Sequence, residues 1–183
     1  MKKGTTTIII IVIIAVIAIW AVSSYNSLVK EEENVRTQWS NVEAEYQRRM
    51  DLIPNLVNTV KGYATHEQET FVQTTMARAQ ATKPSEAADG LTAENLQAYD
   101  QAQGQVYNAM RQLLLVREAY PELQANENFL QLQNQLEGTE NRIKVARRDY
   151  NTAAQVYNTM RRRAPRNIIQ GIFGFPAKPH VQA

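Results

Sequence analysis

The sequence predicts an all-α protein: an N-terminal transmembrane helix followed by an elongated antiparallel up-and-down bundle of three to four long helices. Three observations carry that prediction. Residues 5–22 read TTTIIIIVIIAVIAIWAV and contain no charge. Beyond them, large apolar residues return at a spacing near 3.5, the period of a packed helical seam. Seven glycines and six prolines, mostly near segment ends, are too few for a strand-and-turn architecture.

The apolar run comes first. At 1.5 Å per residue it makes roughly 27 Å of helix, enough to cross the hydrocarbon core of a bilayer. Ile8, Ile13 and Ile17 lie within it, and Trp20 and Tyr25 stand where an interfacial aromatic belt is expected. A cleaved signal peptide is the competing reading, with Lys2 and Lys3 as its basic region and Ala21-Val22-Ser23 as its cleavage site. The run is long for a signal peptide, and helical periodicity continues into Leu28 and Val29. Lys2, Lys3 and the α-amino group flank one side. Lys30 and Arg36, diluted by Glu31, Glu32 and Glu33, flank the other. The positive-inside rule then favours a cytoplasmic N-terminus and a bundle on the periplasmic side of a bacterial inner membrane, crossed once.

The chain divides into a flank (1–4), a membrane helix (5–23), a helical bundle (24–164) and a C-terminal apolar and basic tail (165–183). From Leu28 a seam runs through Glu32, Val35, Trp39, Val42, Tyr46, Arg49 and Ile53. Pro54 should kink or interrupt it, because proline lacks the N–H and crowds the preceding turn. The pattern resumes at Leu56, Val57 and Val60 before Gly62, and Thr65 with Gln68 makes a weak capping box for a further stretch. The periodicity leaves open whether 28–81 is one kinked helix or two. Residues 82–91, with Pro84 and Gly90, read as a loop. Thr92 caps a helix with the face Leu96, Tyr99, Val106, Met110, Leu113 and Leu114, ending before Pro121. Asn126 caps the last long helix, whose face runs Phe129, Leu132, Leu136, Ile143, Ala146, Tyr150, Ala153, Tyr157 and Met160 until Pro165 closes it. Gly104 and Gly138 fall mid-helix, a position explained by close helix–helix approach.

Chemistry is sparse. With no cysteine, there is no disulfide, thiolate metal site or cysteine nucleophile. The two histidines, His66 and His180, are far apart, no Glu-x-x-His pair occurs, and no nucleotide-binding or nucleophile-elbow motif is present. Twenty basic against eighteen acidic residues give no electrostatic case for nucleic acid. No cofactor or metal is expected, nor an enzymatic activity. Arg48, Arg49, Asp51, Asn55, Asn141 and Arg142 lie close to the apolar stripes, as do Asn151 and Asn158. They suit a buried polar network that fixes helix register, or a site for an anion. Tyr-Asn occurs four times, and Tyr150-Asn151 and Tyr157-Asn158 are one heptad apart. Near the end, Arg161, Arg162 and Arg163 precede Ile168, Ile169, Ile172, Phe173 and Phe175. That apolar cluster must be covered by its own bundle, a neighbouring subunit or a membrane surface.

Some of these blocks are specific. Gln47-Arg48-Arg49-Met50-Asp51-Leu52-Ile53-Pro54-Asn55-Leu56-Val57, then Val60-Lys61-Gly62-Tyr63-Ala64, Glu140-Asn141-Arg142-Ile143, Arg147-Arg148-Asp149-Tyr150-Asn151 and Gly171-Ile172-Phe173-Gly174-Phe175, closely resemble the LemA family of bacterial membrane proteins. At the end the chain departs from it, with Lys178-Pro179-His180 where relatives often carry a basic-aromatic ending. The resemblance implies an N-terminal anchor, a helical bundle, no enzymatic activity and a part in membrane organisation, including organelle-like membranes in some bacteria. Some relatives carry the domain in the cytoplasm, so the family does not decide the membrane side. A self-associating scaffold in contact with the bilayer is the leading expectation. An adaptor for another membrane protein, such as a protease or signalling partner, and an anion or lipid sensor are the alternatives.

Overall fold

A computed structural model describes residues 3–81 and 92–181, and among them the regular structure is entirely helical. The first helix, α1 (Lys3–Lys61), runs 59 residues without a break. Pro54 sits inside it, so the expected interruption there does not occur. The buried side chains of Ile53, Leu56 and Val57 surround the proline on the core side. Their burial is worth roughly 1.5–3 kcal/mol each, against about 3 kcal/mol for an interior proline. The helix ends at Gly62, so 28–81 holds two helices. α2 (Gln68–Ala81) begins later than a Thr65 cap requires. The expected loop at 82–91 lies outside the described residues.

α3 (Ala93–Leu115) starts where Thr92 accepts a hydrogen bond from the Asn95 amide at 3.2 Å. A short 3-10 turn (Val116–Ala119) and the single turn α4 (Pro121–Gln124) follow. Asn126 then caps α5 (Glu127–Arg162), its side chain accepting from the Phe129 amide at 2.9 Å. α6 (Arg166–Phe173) is a separate short helix closed by Gly174 in the left-handed conformation, φ 71°.

α5 packs chiefly on α1, and α2 chiefly on α3. Partners along α1 and α5 run in opposite order: Trp39 meets Tyr150, Tyr46 meets Arg147, and Arg49 meets Glu140. The stripes read from the sequence are buried, and they form two apolar clusters. One, around Val35, Trp39, Tyr46, Ile143, Tyr150 and Tyr157, lies nearer the apolar N-terminal segment. The other, around Met50, Ile53, Leu56, Met110, Leu113, Phe129 and Leu136, fills the far end. Close helix approach does not explain the glycines. A Cβ at Gly104 would meet nothing within 4 Å, and at Gly138 only the end of the Arg142 side chain at 3.5 Å.

Residues 8–19 of α1 are all exposed. Ile8, Ile13 and Ile17 are more than half exposed, and their large apolar neighbours range from 47% at Ile9 to 71% at Ile19. This is the one described helix long and apolar enough to cross a membrane.

Burial of aromatic hydroxyls in the upper cluster gives the fold an alkaline limit. Burial pushes the phenols of Tyr46, Tyr99, Tyr150 and Tyr157 up from 10 to about 12. A raised folded-state pKa means that the fold holds the proton more tightly than the unfolded chain. The associated stability is therefore complete below pH 10 and is lost between about pH 10 and 12. Spectrophotometric titration should show these four tyrosines ionising together with the loss of helical circular dichroism. Ionisation of all eight tyrosines near the ordinary value with the helices intact would contradict it.

Candidate functional site

Between the two apolar clusters lies a polar layer centred on Arg49. Its guanidinium donates to Glu140 Oε1 at 3.0 Å, to the Gln103 carbonyl at 2.9 Å and to Gln103 Oε1 at 2.7 Å. It also lies over the Tyr46 ring, 5.2 Å from the centroid. One side chain thus ties α1 to α3 and α5. Next to it, Arg147 donates to the Tyr46 hydroxyl at 2.8 Å and pairs with Asp100 at 2.9 Å. These groups line a cleft of about 530 Å³ together with Gly104, Tyr107 and Lys144. Gly104 opens onto the cleft, since a side chain there would find free space. Arg49 is paired with Glu140 and Arg147 with Asp100, so the layer acts as a joint between helices.

The network read from the sequence needs correction. Arg49 belongs to it, whereas Arg48, Asp51, Asn55 and Asn141 are exposed. Arg48 is turned about 100° from Arg49 around the helix, which carries it off the seam. Asp51 accepts from Gln47 on the surface at 2.7 Å. Arg142 is half-exposed and bridges to Glu45 at 3.0 Å. The real partners are Asp100 and Gln103 of α3, Glu140 and Arg147 of α5, and Tyr46 one turn away on α1 itself. Gln103 and Thr139, polar residues at core positions of their stripes, were the signal available in the sequence.

The second polar arrangement absorbs the heptad-spaced Tyr-Asn pairs. Residues 175–181, which form no helix or strand, run back along α5. The Asn158 carboxamide donates to the Lys178 carbonyl at 2.7 Å and accepts from its amide at 3.0 Å. Asn151 does the same for Val181, at 2.8 Å in both directions. Tyr157 donates to the Pro176 carbonyl at 2.9 Å, and Tyr150 to the Pro179 carbonyl at 2.8 Å. The ladder reads tail backbone, as a neighbouring strand would. Three buried side chains add to it. Phe175 and Val181 enter the upper cluster, and Lys178 pairs with Glu32 of α1 at 2.9 Å.

The tail candidates therefore separate. Ile169 and Phe175 are buried in the chain's own core and are not free contact residues. Arg161 donates to the Phe175 carbonyl at 3.2 Å. Arg162 and Arg163 are exposed, as are Ile168, Ile172 and Phe173. Of the aromatic belt, Tyr25 packs edge-on against Phe173 and Phe175, and Trp20 is partly buried against the upper cluster.

Fold and site define an all-helical protein in which a candidate membrane-spanning segment continues directly into a helical core bolted by a buried arginine. The chain belongs to the LemA family, whose profile matches residues 38–183. It is also similar to magnetosome protein MamQ 2 and magnetosome protein MamQ 1 of Paramagnetospirillum magneticum, each 29% identical over 175 residues and 86% of this chain. Magnetosome protein MamQ of Magnetospirillum gryphiswaldense is 27% identical over 168 residues, or 82% of this chain. The matches span 64% of the length of the first two relatives and 62% of the third.

Two substitutions test the two polar arrangements. Arg49→Ala removes one partner from a buried pair and should cost about 3 kcal/mol, read by thermal unfolding of the detergent-solubilised full chain. A loss within about 0.5 kcal/mol, the range of an ordinary surface change, would remove Arg49 as the joint. Replacing both Asn151 and Asn158 by Ala should release the tail, so that limited proteolysis trims the C-terminus while the bundle survives. Unchanged trimming would show that Phe175 and Val181 hold the tail without the ladder.

Proposed function

We propose that this chain is a membrane-anchored structural protein that self-associates through helical faces and organises or remodels the bacterial cell membrane. The observation that carries the reading is α1, which passes without a break from an exposed apolar segment into the bundle core. Such a helix couples the position of the bundle rigidly to the bilayer. Apolar residues left exposed on other helices, Val72 and Met76 on α2 and Val145 and Val156 on α5, are candidate surfaces for lateral contact. Many copies, each with one anchor, would gain hold on the membrane by avidity. The likeness to magnetosome proteins supports a membrane role for this chain.

In this reading the bundle is antiparallel and elongated, the span crosses the inner membrane once, and the domain lies on the periplasmic side. Lys2 and Lys3 support that orientation, while the four arginines of 161–166 lie far from the span in sequence and outside the range the rule counts. The role is mechanical, with no catalysis. Mass photometry of the full chain in native-membrane nanodiscs should give multiples of the monomer. A strictly monomeric distribution at high membrane density would overturn self-association.

A further inference from the structure

We propose that α6 is an interfacial membrane helix that rests on the bilayer beside the exit point of α1 and docks on anionic lipid. The inference accepts that α1 spans the bilayer, but it does not depend on self-association.

Depth is the first argument. The pairing of α1 with α5 places Trp39 against Tyr150 and Arg49 against Glu140. Continued at the same rise, it sets the end of α5, near Arg163, at the level of Asn26. α6 follows directly, and its Phe173 ring meets Tyr25 with centroids 5.1 Å apart. The apolar run of α1 ends at Val22, where Ser23 and Ser24 follow, so Tyr25 stands about 4.5 Å beyond it. The headgroup region on each side of a bilayer is roughly 5–7 Å deep. α6 is thus held at headgroup level by a helix that cannot shorten.

Chemistry is the second. α6 turns Ile169 into the core and leaves Ile168 58%, Ile172 68% and Phe173 59% exposed. Three large apolar side chains are a heavy load for an eight-residue helix in water, and an acyl boundary removes it. Charge is the third. From residue 150 to the end the sequence holds Arg161, Arg162, Arg163, Arg166 and Lys178 and no Asp or Glu. Arg161 and Lys178 are engaged within the chain and little exposed, whereas Arg163, and Arg162 whose Nε donates to the Asn158 carbonyl at 3.3 Å, stand exposed next to α6. A cationic rim around an apolar face complements phosphate headgroups over acyl chains. The tail ladder completes the device. It fastens the chain immediately after α6 to α5, so that α6 keeps its height and its rotation.

The chain has no cysteine, so an introduced thiol is unique. Ile172→Cys and, separately, Ile168→Cys would be labelled with an environment-sensitive fluorophore. The labelled full chain would be reconstituted in phosphatidylcholine vesicles with and without phosphatidylglycerol. Asn55→Cys, exposed on α1 about 50 Å beyond the apolar run, serves as the water-facing reference. Both α6 probes should be quenched by shallow nitroxide lipids and shielded from aqueous iodide several-fold more than the reference. In the anionic vesicles, Arg162→Gln and Arg163→Gln should each weaken the shielding by about fivefold, with little change in neutral ones. Iodide access equal to that at Asn55 overturns the proposal, and it can occur whether the chain is oligomeric or monomeric. Shielding without nitroxide-lipid quenching also overturns it, because the surface of a second copy would then cover the face, a result that supports self-association while excluding the lipid contact.

Discussion

An α-helix rises 1.5 Å per residue with almost no give, and α1 obeys that rule for 59 residues, or about 88 Å. Every other element takes its height from this rod. α5 lies along it over much of its own length, α3 joins the pair through the Arg49 layer, and α6 is held where its Phe173 ring meets Tyr25. A flexible link after the apolar segment would have let the bundle adopt any angle to it. Instead the backbone hydrogen bonds of the segment continue into the core, and the direction of the segment becomes the axis of the domain.

A rod of this length needs its register fixed, and heptad-like apolar stripes alone permit slippage by a turn. The polar layer supplies the missing specificity. Arg49 finds a carboxylate, an amide oxygen and a main-chain carbonyl only when α1, α3 and α5 are aligned as observed. A shift of one turn would leave a buried charge unpaired, which is far costlier than exchanging one apolar contact for another. The layer also separates the upper apolar cluster, joined to the end of the apolar N-terminal segment, from the lower cluster that packs α2 and α4.

The apolar seams were legible because helical burial leaves a period in the sequence, and nearly every stripe residue is buried as its spacing requires. Caps at Thr92 and Asn126 were legible for a similar reason, since their chemistry is local. Pro54 was misleading. Its local cost is real, but the buried residues around it outweigh that cost, and no window of sequence around a proline contains the packing energy. The polar network was half legible. Arg49 sits on its stripe and could be found, whereas its partners are 54 and 91 residues away.

The sequence by itself determined the apolar segment, the helical content, the faces that would be buried and the presence of a basic, apolar C-terminal end. These are consequences of residue type and short-range spacing. The periodicity that passes the apolar run into Leu28 and Val29 also anticipated that segment and bundle share one helix. The tertiary structure alone decided that two Tyr-Asn pairs grip the returning tail, and that Ile169 and Phe175 turn inward while Ile168, Ile172 and Phe173 remain outside. The tail lies 19 to 30 residues beyond the side chains that hold it, after a change of direction at Gly174. Contacts made across such a turn depend on where the whole chain has gone, and spacing carries no record of that.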